Sequence, residues 1–414
     1  MIKNRISYTE FSDWRFDVLK AKDSFIWKQN RKKLIDFTSG WNVINLGWNN
    51  SEITSALIEQ AKKNVYAPMW SADPIQNKYA EALTNSLPKE LYVVGRATGG
   101  TEANEEAIKT ARSYTGRKKI LGFKDSYHGQ SFGTLALGYL PEYIESMEIA
   151  PLVGDFIQMD FPKVYGKKVD QKKILSEFGE KLDDLLSKKD VAAIVSEAGI
   201  ITGWGTTYVA PDGYLSLVRR LTKKYGTILI LDEVGTGFSR CGKLWGMHLE
   251  NVIPDIATFA KGISNGAAAI GAMVTTKEIA EKTFWKSNLV STFGWTPIAC
   301  AASLKTLEIH LRDKIWEKSE KDGTYLLTKL REALGNSPII EDINGIGLEI
   351  GVHFVKDGSK DQILKIFKLA EEKGLHLTGD NGDANIQLMP PLTIERDVLD
   401  KGLEIFISVV KSLR

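Results

Sequence analysis

Two carboxylates and a lysine stand where strands should end. Thr227-Ile228-Leu229-Ile230-Leu231 is a continuous apolar run with β-branched residues, as expected of a strand buried on both faces of a parallel sheet. Asp232 and Glu233 follow it directly. In open α/β sheets, ligands bind beyond the carboxyl ends of the strands. A second apolar segment, Ile256-Ala257-Thr258-Phe259-Ala260, delivers Lys261, and Gly262 and Gly266 flank the loop after it. The pattern predicts strand and acid, a glycine-rich loop, then strand and lysine.

An acid and a lysine at one sheet edge serve several chemistries. An arbitrary pair of this kind most often forms a buried or half-buried ion pair. The stretch GFSRCGK, from Gly237 to Lys243, fits a phosphate-binding loop behind a strand, but Leu244 replaces the Ser/Thr that would hold magnesium. A dinucleotide fingerprint fails too, because Arg240 follows Gly235 and Gly237 where the third glycine belongs. The remaining option is a lysine forming a Schiff base with pyridoxal phosphate, with an aspartate on the pyridinium nitrogen. That cofactor also needs a phosphate cup, a ring-stacking residue and support for its phenolic oxygen.

The stretch LDEVGTGFSRCGK, followed by FAKGISNG, resembles the class III (ω-) aminotransferases, which belong to the fold type I pyridoxal-phosphate enzymes. The resemblance implies that Lys261 carries the Schiff base and then acts as general base, and that Asp232 holds the ring nitrogen. Val234 then lies against the cofactor. Thr98-Gly99-Gly100-Thr101 opens an amphipathic helix, whose free N–H groups can hold phosphate. It resembles the family's SGTEANEAAIK, so Gly100 and Thr101 are expected phosphate contacts, with Gly99 replacing a serine. Glu102, Glu105 and Glu106 in its early turns, with Lys109 and Arg112 late, follow the order that the helix dipole favours. Tyr127-His128-Gly129 matches an aromatic–His–Gly triplet; Tyr127 is expected to stack on the ring, and His128 to orient the loop or touch the ligand. Glu197 ends the strand Val191–Val195 and should sit beside the ring. Thr292, in STFGWTP, implies a phosphate contact across a homodimer interface, with Trp295 adding a bulky aromatic near the entrance.

The opening stretch around Trp41, Asn42 and Val43 resembles the segment that lines the family's substrate pocket, where Trp41 would restrict the space. Two departures bear on the substrate. The stretch AGIITGWGTTYVAPDGYL after Glu197 lacks the second glutamate of the family pattern, and Gln387 stands where an arginine often binds the α-carboxylate. A bidentate arginine–carboxylate contact is lost with glutamine. The expectation is a different carboxylate contact, or a donor without an α-carboxylate. Arg240 is expected to be structural.

These residues need a large scaffold, and 414 residues suffice for two or three domains. The resemblance implies an α/β fold: a large domain with a mostly parallel central sheet flanked by helices, plus a smaller α+β domain. The expected boundaries are an N-terminal segment over 1–50 joining the small domain, a large cofactor-binding domain over 51–304 and a small domain over 305–414. At 43% apolar, 26% charged and a net charge of +2, the composition suits an ordinary globular protein and excludes a polyanion-binding one. Two cysteines argue for a reducing, cytoplasmic setting. The first residues lack the apolar core of a signal peptide, and no run approaches a membrane span. The five histidines lack metal spacing. The expected activity is amino-group transfer from an amine or ω-amino donor to an oxo acceptor; an aminomutase, racemase or decarboxylase shares the same residues.

Overall fold

The computed structural model describes residues 17–138, 148–149, 151–287, 289–355, 359–380 and 384–413. The opening stretch weighed as a signal peptide lies almost wholly outside them. The scaffold of the site is a seven-stranded sheet in the order Val93–Ala97, Gly271–Thr275, Ile256–Phe259, Ile228–Asp232, Val191–Glu197, Lys119–Phe123, Phe156–Met159. Only Gly271–Thr275 runs against the rest, pairing antiparallel with both neighbours. The mostly parallel sheet expected from the apolar runs is therefore present.

Alternation along the central strand explains why it reads as one apolar run. Ile228 and Ile230 pack with Ala107, Ile108 and Ala111 of the helix Gly100–Thr115 on one face. Leu229 and Leu231 pack with Val218 and Leu221 of the helix Tyr214–Tyr225 on the other. Successive strand side chains point to opposite faces, and here both faces are covered, so every position must be apolar until the strand emerges at Asp232.

A second, antiparallel sheet of Ile340–Ile346, Glu349–Phe354, Asn385–Leu388 and Thr378–Asp380 carries its own core. The helices Ile315–Leu334, Ser359–Glu372 and Arg396–Lys411 supply part of that core. A third sheet joins the chain's two ends: Lys33–Asp36 pairs in parallel with Leu375–His376. This pairing holds the turn Ser39–Asn42 against the carboxyl-terminal part. All four residues of that turn have positive φ, between 47° and 64°, a conformation costing non-glycine residues roughly 1–2 kcal/mol each. Ser39 Oγ donates to the Met389 carbonyl at 2.7 Å and helps hold it.

The helix Gly100–Thr115 corrects one expectation. Glu102 caps the preceding loop, accepting from Thr98 N at 2.6 Å, but Glu106 is not a surface carboxylate serving the helix dipole. It is 3% exposed and one of its oxygens has no partner. Burial, and then repulsion from Glu102, push its carboxyl up to about 8. The unfolded chain ionises near 4.5 while the folded chain holds the proton, so stability should fall as pH rises from about 4.5 to about 8. Glu106→Gln should remove this slope, gaining roughly 2–4 kcal/mol over the wild type at pH 8 relative to pH 4.5. Urea unfolding of both proteins at several pH values checks it; parallel pH profiles would reject the buried neutral acid.

Candidate active site at the carboxyl edge of the large sheet

The register of the central strands brings the site together. Asp232 pairs in register with Glu197 on one side and Thr258 on the other, so three polar residues line one edge and Lys261 follows Thr258 by one short turn. Asp232 is buried and well held. Its Oδ2 accepts from Asn104 Nδ2 at 2.8 Å and faces His128 Nδ1 at 2.7 Å, and its Oδ1 accepts from Val234 N at 2.9 Å. His128 is fixed in turn by Ser126 Oγ, 3.0 Å from its other ring nitrogen. Of the two expected roles for His128, the structure supports orientation, since both ring nitrogens are engaged with protein.

Asn104 escaped the sequence reading. Its amide bridges Thr258 Oγ1, Asp232 and the His128 carbonyl, tying the first helix to two strand ends. It stands within the TEANEE stretch, but only its burial on the helix face toward Asp232 shows the role. Glu233, adjacent to Asp232, turns the other way: its carboxylate accepts from Thr236 Oγ1, Gly246 N and Met247 N. Burial raises its pKa. One of the two strand-end acids is thus structural.

Lys261 opens the turn Lys261–Ser264 with φ 47°. Positive φ in a bulky residue marks a position that the surrounding structure over-determines. Gly262 behind it has no room for a side chain, because a Cβ there would lie 2.7 Å from Asn45 Nδ2. Glu197 faces the same space: Oε2 accepts from Thr202 N at 2.8 Å, and Oε1 is buried without a partner. Burial pushes its carboxyl up to about 7, with Asp232 adding to the rise and His128, Thr202 and Lys261 opposing it.

The residues fit a phosphorylated ring. The helix Gly100–Thr115 starts at Gly99 without any side-chain cap, and a Cβ on Gly99 would meet nothing within 4 Å. Uncapped N–H groups facing open space form an anion cradle. On Gly100 a Cβ would lie 3.2 Å from the Val234 methyls, which places Val234 at the cradle wall beside Thr101. Tyr127 is held edge-on by Trp204, with ring centroids 4.8 Å apart, and Trp204 Nε1 donates to the Ser126 carbonyl. Trp204 comes from the departing stretch after Glu197, where sequence reasoning saw only missing family residues. Gly203 beside it is needed for this approach, as a Cβ would fall 2.2 Å from Tyr127 Cβ.

The sequence model of the family described as aminotransferase class-III matches residues 8–410. The chain belongs to the class III aminotransferase family. It is therefore an aminotransferase-type enzyme dependent on pyridoxal phosphate. Among its relatives is the acetylornithine aminotransferase of Methanothermobacter thermautotrophicus, 30% identical over 95% of this chain and 93% of that one. A leucine/methionine racemase of Thermococcus litoralis is likewise 30% identical, over 93% and 88%. An amine transaminase from an uncultivated Pseudomonas species, solved in a PLP-bound form, superposes with a TM-score of 0.90 at 25% identity and covers 100% of this chain and 98% of its own.

Against this background the remaining residues of the aminotransferase fall into place or out of it. Trp41 is 39% exposed in the strained turn, and Asn42 is buried behind it. Thr292 is exposed and lies beside the exposed ring of Phe293. Trp295 is corrected: it is 1% exposed, donates to the Gly271 carbonyl at 2.7 Å and packs 4.8 Å from the Tyr79 ring. It is a core residue, not one at an entrance. Arg240 is fully buried, donating to the Leu348 and Pro390 carbonyls and to Asn45 Oδ1. Lys243 pairs at the surface with Glu320 at 3.1 Å, and no helix of the described residues starts behind it in the manner of a phosphate-binding loop. Gln387 is fully buried in a hydrogen-bond cluster rather than open to a ligand over its whole amide. Among the described residues no group of three His, Cys, Asp or Glu could hold a metal, and no helix is long and apolar enough to cross a membrane.

Proposed function

We propose that the enzyme moves an amino group from an amine or ω-amino donor to an oxo acceptor, with Lys261 and Asp232 as the catalytic pair. The observation that carries this reading is the convergence of a strained, half-buried Lys261, a triply hydrogen-bonded Asp232 and an uncapped helix start at one sheet edge. Gly100 and Thr101 would hold the cofactor phosphate; Tyr127, Val234 and Glu197 would pack around the ring, and His128 would steady Asp232. Bound pyridoxal phosphate supplies an electron sink for the carbon that loses its proton. Lys261 anchors the cofactor through its ε-amine and, once displaced by donor, carries the proton away from the donor's amine-bearing carbon. Asp232 places negative charge opposite the ring nitrogen, where positive charge must be kept. Trp41 would limit the size of the donor.

The reading includes a homodimer with sites at its interface, in which Thr292 reaches the partner's phosphate. Support comes from the apolar surface beside Thr292: Phe293 is 64% exposed, stands 6.0 Å from the Tyr66 ring, and is near in sequence to the exposed Val290. Apolar rings in that position suit a protein interface. Free, buried Cys241 and Cys300 suit a reducing cytoplasm.

The 30%-identical racemase supports a second reading on the same residues, in which the amine returns to its own carbon. Absorbance of the cofactor-loaded enzyme separates the two. Donor alone should bleach the cofactor band, and an added oxo acid should restore it while becoming aminated. A band restored without acceptor, with inverted donor accumulating, would favour racemisation.

A further inference from the structure

The place of the expected arginine is occupied by a buried cluster of acceptors. Gln387 Nε2 lies 2.9 Å from the Thr206 carbonyl, 3.2 Å from the Thr202 carbonyl, 3.2 Å from Thr207 Oγ1 and 3.1 Å from Glu349 Oε1. These partners decide the amide's orientation, because a flipped amide would set its oxygen against two carbonyls. Gln387 Oε1 must therefore point away from them, and it is buried with no partner.

Glu349 is the centre of the group. It is 0% exposed; Oε1 also accepts from Thr207 Oγ1 at 2.8 Å, and Oε2 accepts from Asn42 Nδ2 at 2.7 Å. Asn42 is delivered by the left-handed turn, at φ 64°, and its Oδ1 is likewise buried and unpartnered. Two amide oxygens flanking one carboxyl thus have no donor. A buried acceptor left alone costs about 1–3 kcal/mol, so two of them side by side call for a donor.

The cluster borders the reaction site on two sides. Thr202, whose carbonyl receives Gln387, holds Glu197 through its own N–H and hydroxyl. The segment carrying Asn42 continues into Asn45, which abuts Gly262 next to Lys261. Charge agrees with this placement, since Glu349 feels both Arg240 and Lys261, although burial dominates and raises its pKa.

We infer that Glu349, with Asn42 and Gln387, selects donors whose second end is a hydrogen-bond donor, an ammonium or hydroxyl, and rejects a carboxylate there. The inference rests on the amino-transfer reading above. A carboxylate brought to this place would meet Glu349 and two amide oxygens. An ammonium or hydroxyl gives those oxygens the protons they lack.

The test uses four-carbon donors on the cofactor-loaded enzyme: 1,4-diaminobutane, 4-aminobutan-1-ol, butylamine and 4-aminobutanoate. In the donor half-reaction the diamine or the amino alcohol should exceed 4-aminobutanoate at least 10-fold in rate constant over apparent Kd. Which of those two leads tells ammonium from hydroxyl. Glu349→Gln should shrink that ratio at least 10-fold, since its amide places protons where the carboxyl accepted them. Preference for 4-aminobutanoate in the wild type would overturn the inference, whether or not the variant folds. So would a variant that slows all four donors in proportion, which marks a structural carboxyl. If no amine bleaches the cofactor, the amino-transfer reading fails. The melting temperature then decides the site: the diamine or amino alcohol, but not 4-aminobutanoate, should stabilise the wild type, and Glu349→Gln should lose that shift. Equal shifts would overturn it.

Discussion

Lys261→Ala should abolish turnover, lowering it about 10⁴-fold or more, because one side chain supplies both the covalent anchor and the proton carrier. No other lysine can substitute by a small shift. Lys261 is fixed by the turn that begins at the end of the strand Ile256–Phe259, and its φ of 47° directs that turn. The uncapped helix start and the Asp232 cluster do not depend on it, so the variant should still bind the cofactor. A second change separates conformation from chemistry. Lys261→Gly should relieve the positive φ, by about 1 kcal/mol, and leave the cofactor-free protein as stable as the wild type while turnover is lost. Near-normal turnover in either variant would reject the assignment. A melting temperature far below the wild type in both would show that Lys261 serves the fold instead.

Asp232→Asn should keep the shape of the site and cost about 10²–10³-fold in turnover. The carboxylate now accepts from Asn104, faces His128 and caps Val234 N. An amide must turn its N–H₂ toward one of these groups, so a stability loss of about 1–3 kcal/mol should accompany the change. The kinetic loss should fall on the donor half-reaction and not on cofactor retention, which the anion cradle at Gly99–Thr101 sustains. Stopped-flow absorbance with saturating donor reads the step directly. An undiminished rate would remove Asp232 from the catalytic pair, whatever happens to stability.

The local code was legible in the sequence. Apolar runs ending in Asp232, Glu197 and Lys261 gave away the strands and their chemical edge, because a strand covered on both faces must be apolar along its length and can turn polar only where it emerges. The glycines at 99 and 100 likewise announced a helix start open to an anion. The resemblance then supplied the order of the parts. What stayed hidden were the partners brought by distant chain. Asn104 reads as an ordinary polar helix residue, and Glu106 as a surface charge. Trp295 reads as a loop aromatic, yet it fills the core against Tyr79.

Gln387 is the sharpest case. By itself the sequence determined that an expected arginine is missing; it could not tell what stands there instead. Glu349 lies on a neighbouring strand, and Asn42 in a turn hundreds of residues away along the chain. Sheet register and the pairing of the two chain ends place them around one amide. Residue type decides whether a side chain can accept or donate; only the tertiary structure decides which acceptors share a buried space, and so which substrate end that space can satisfy.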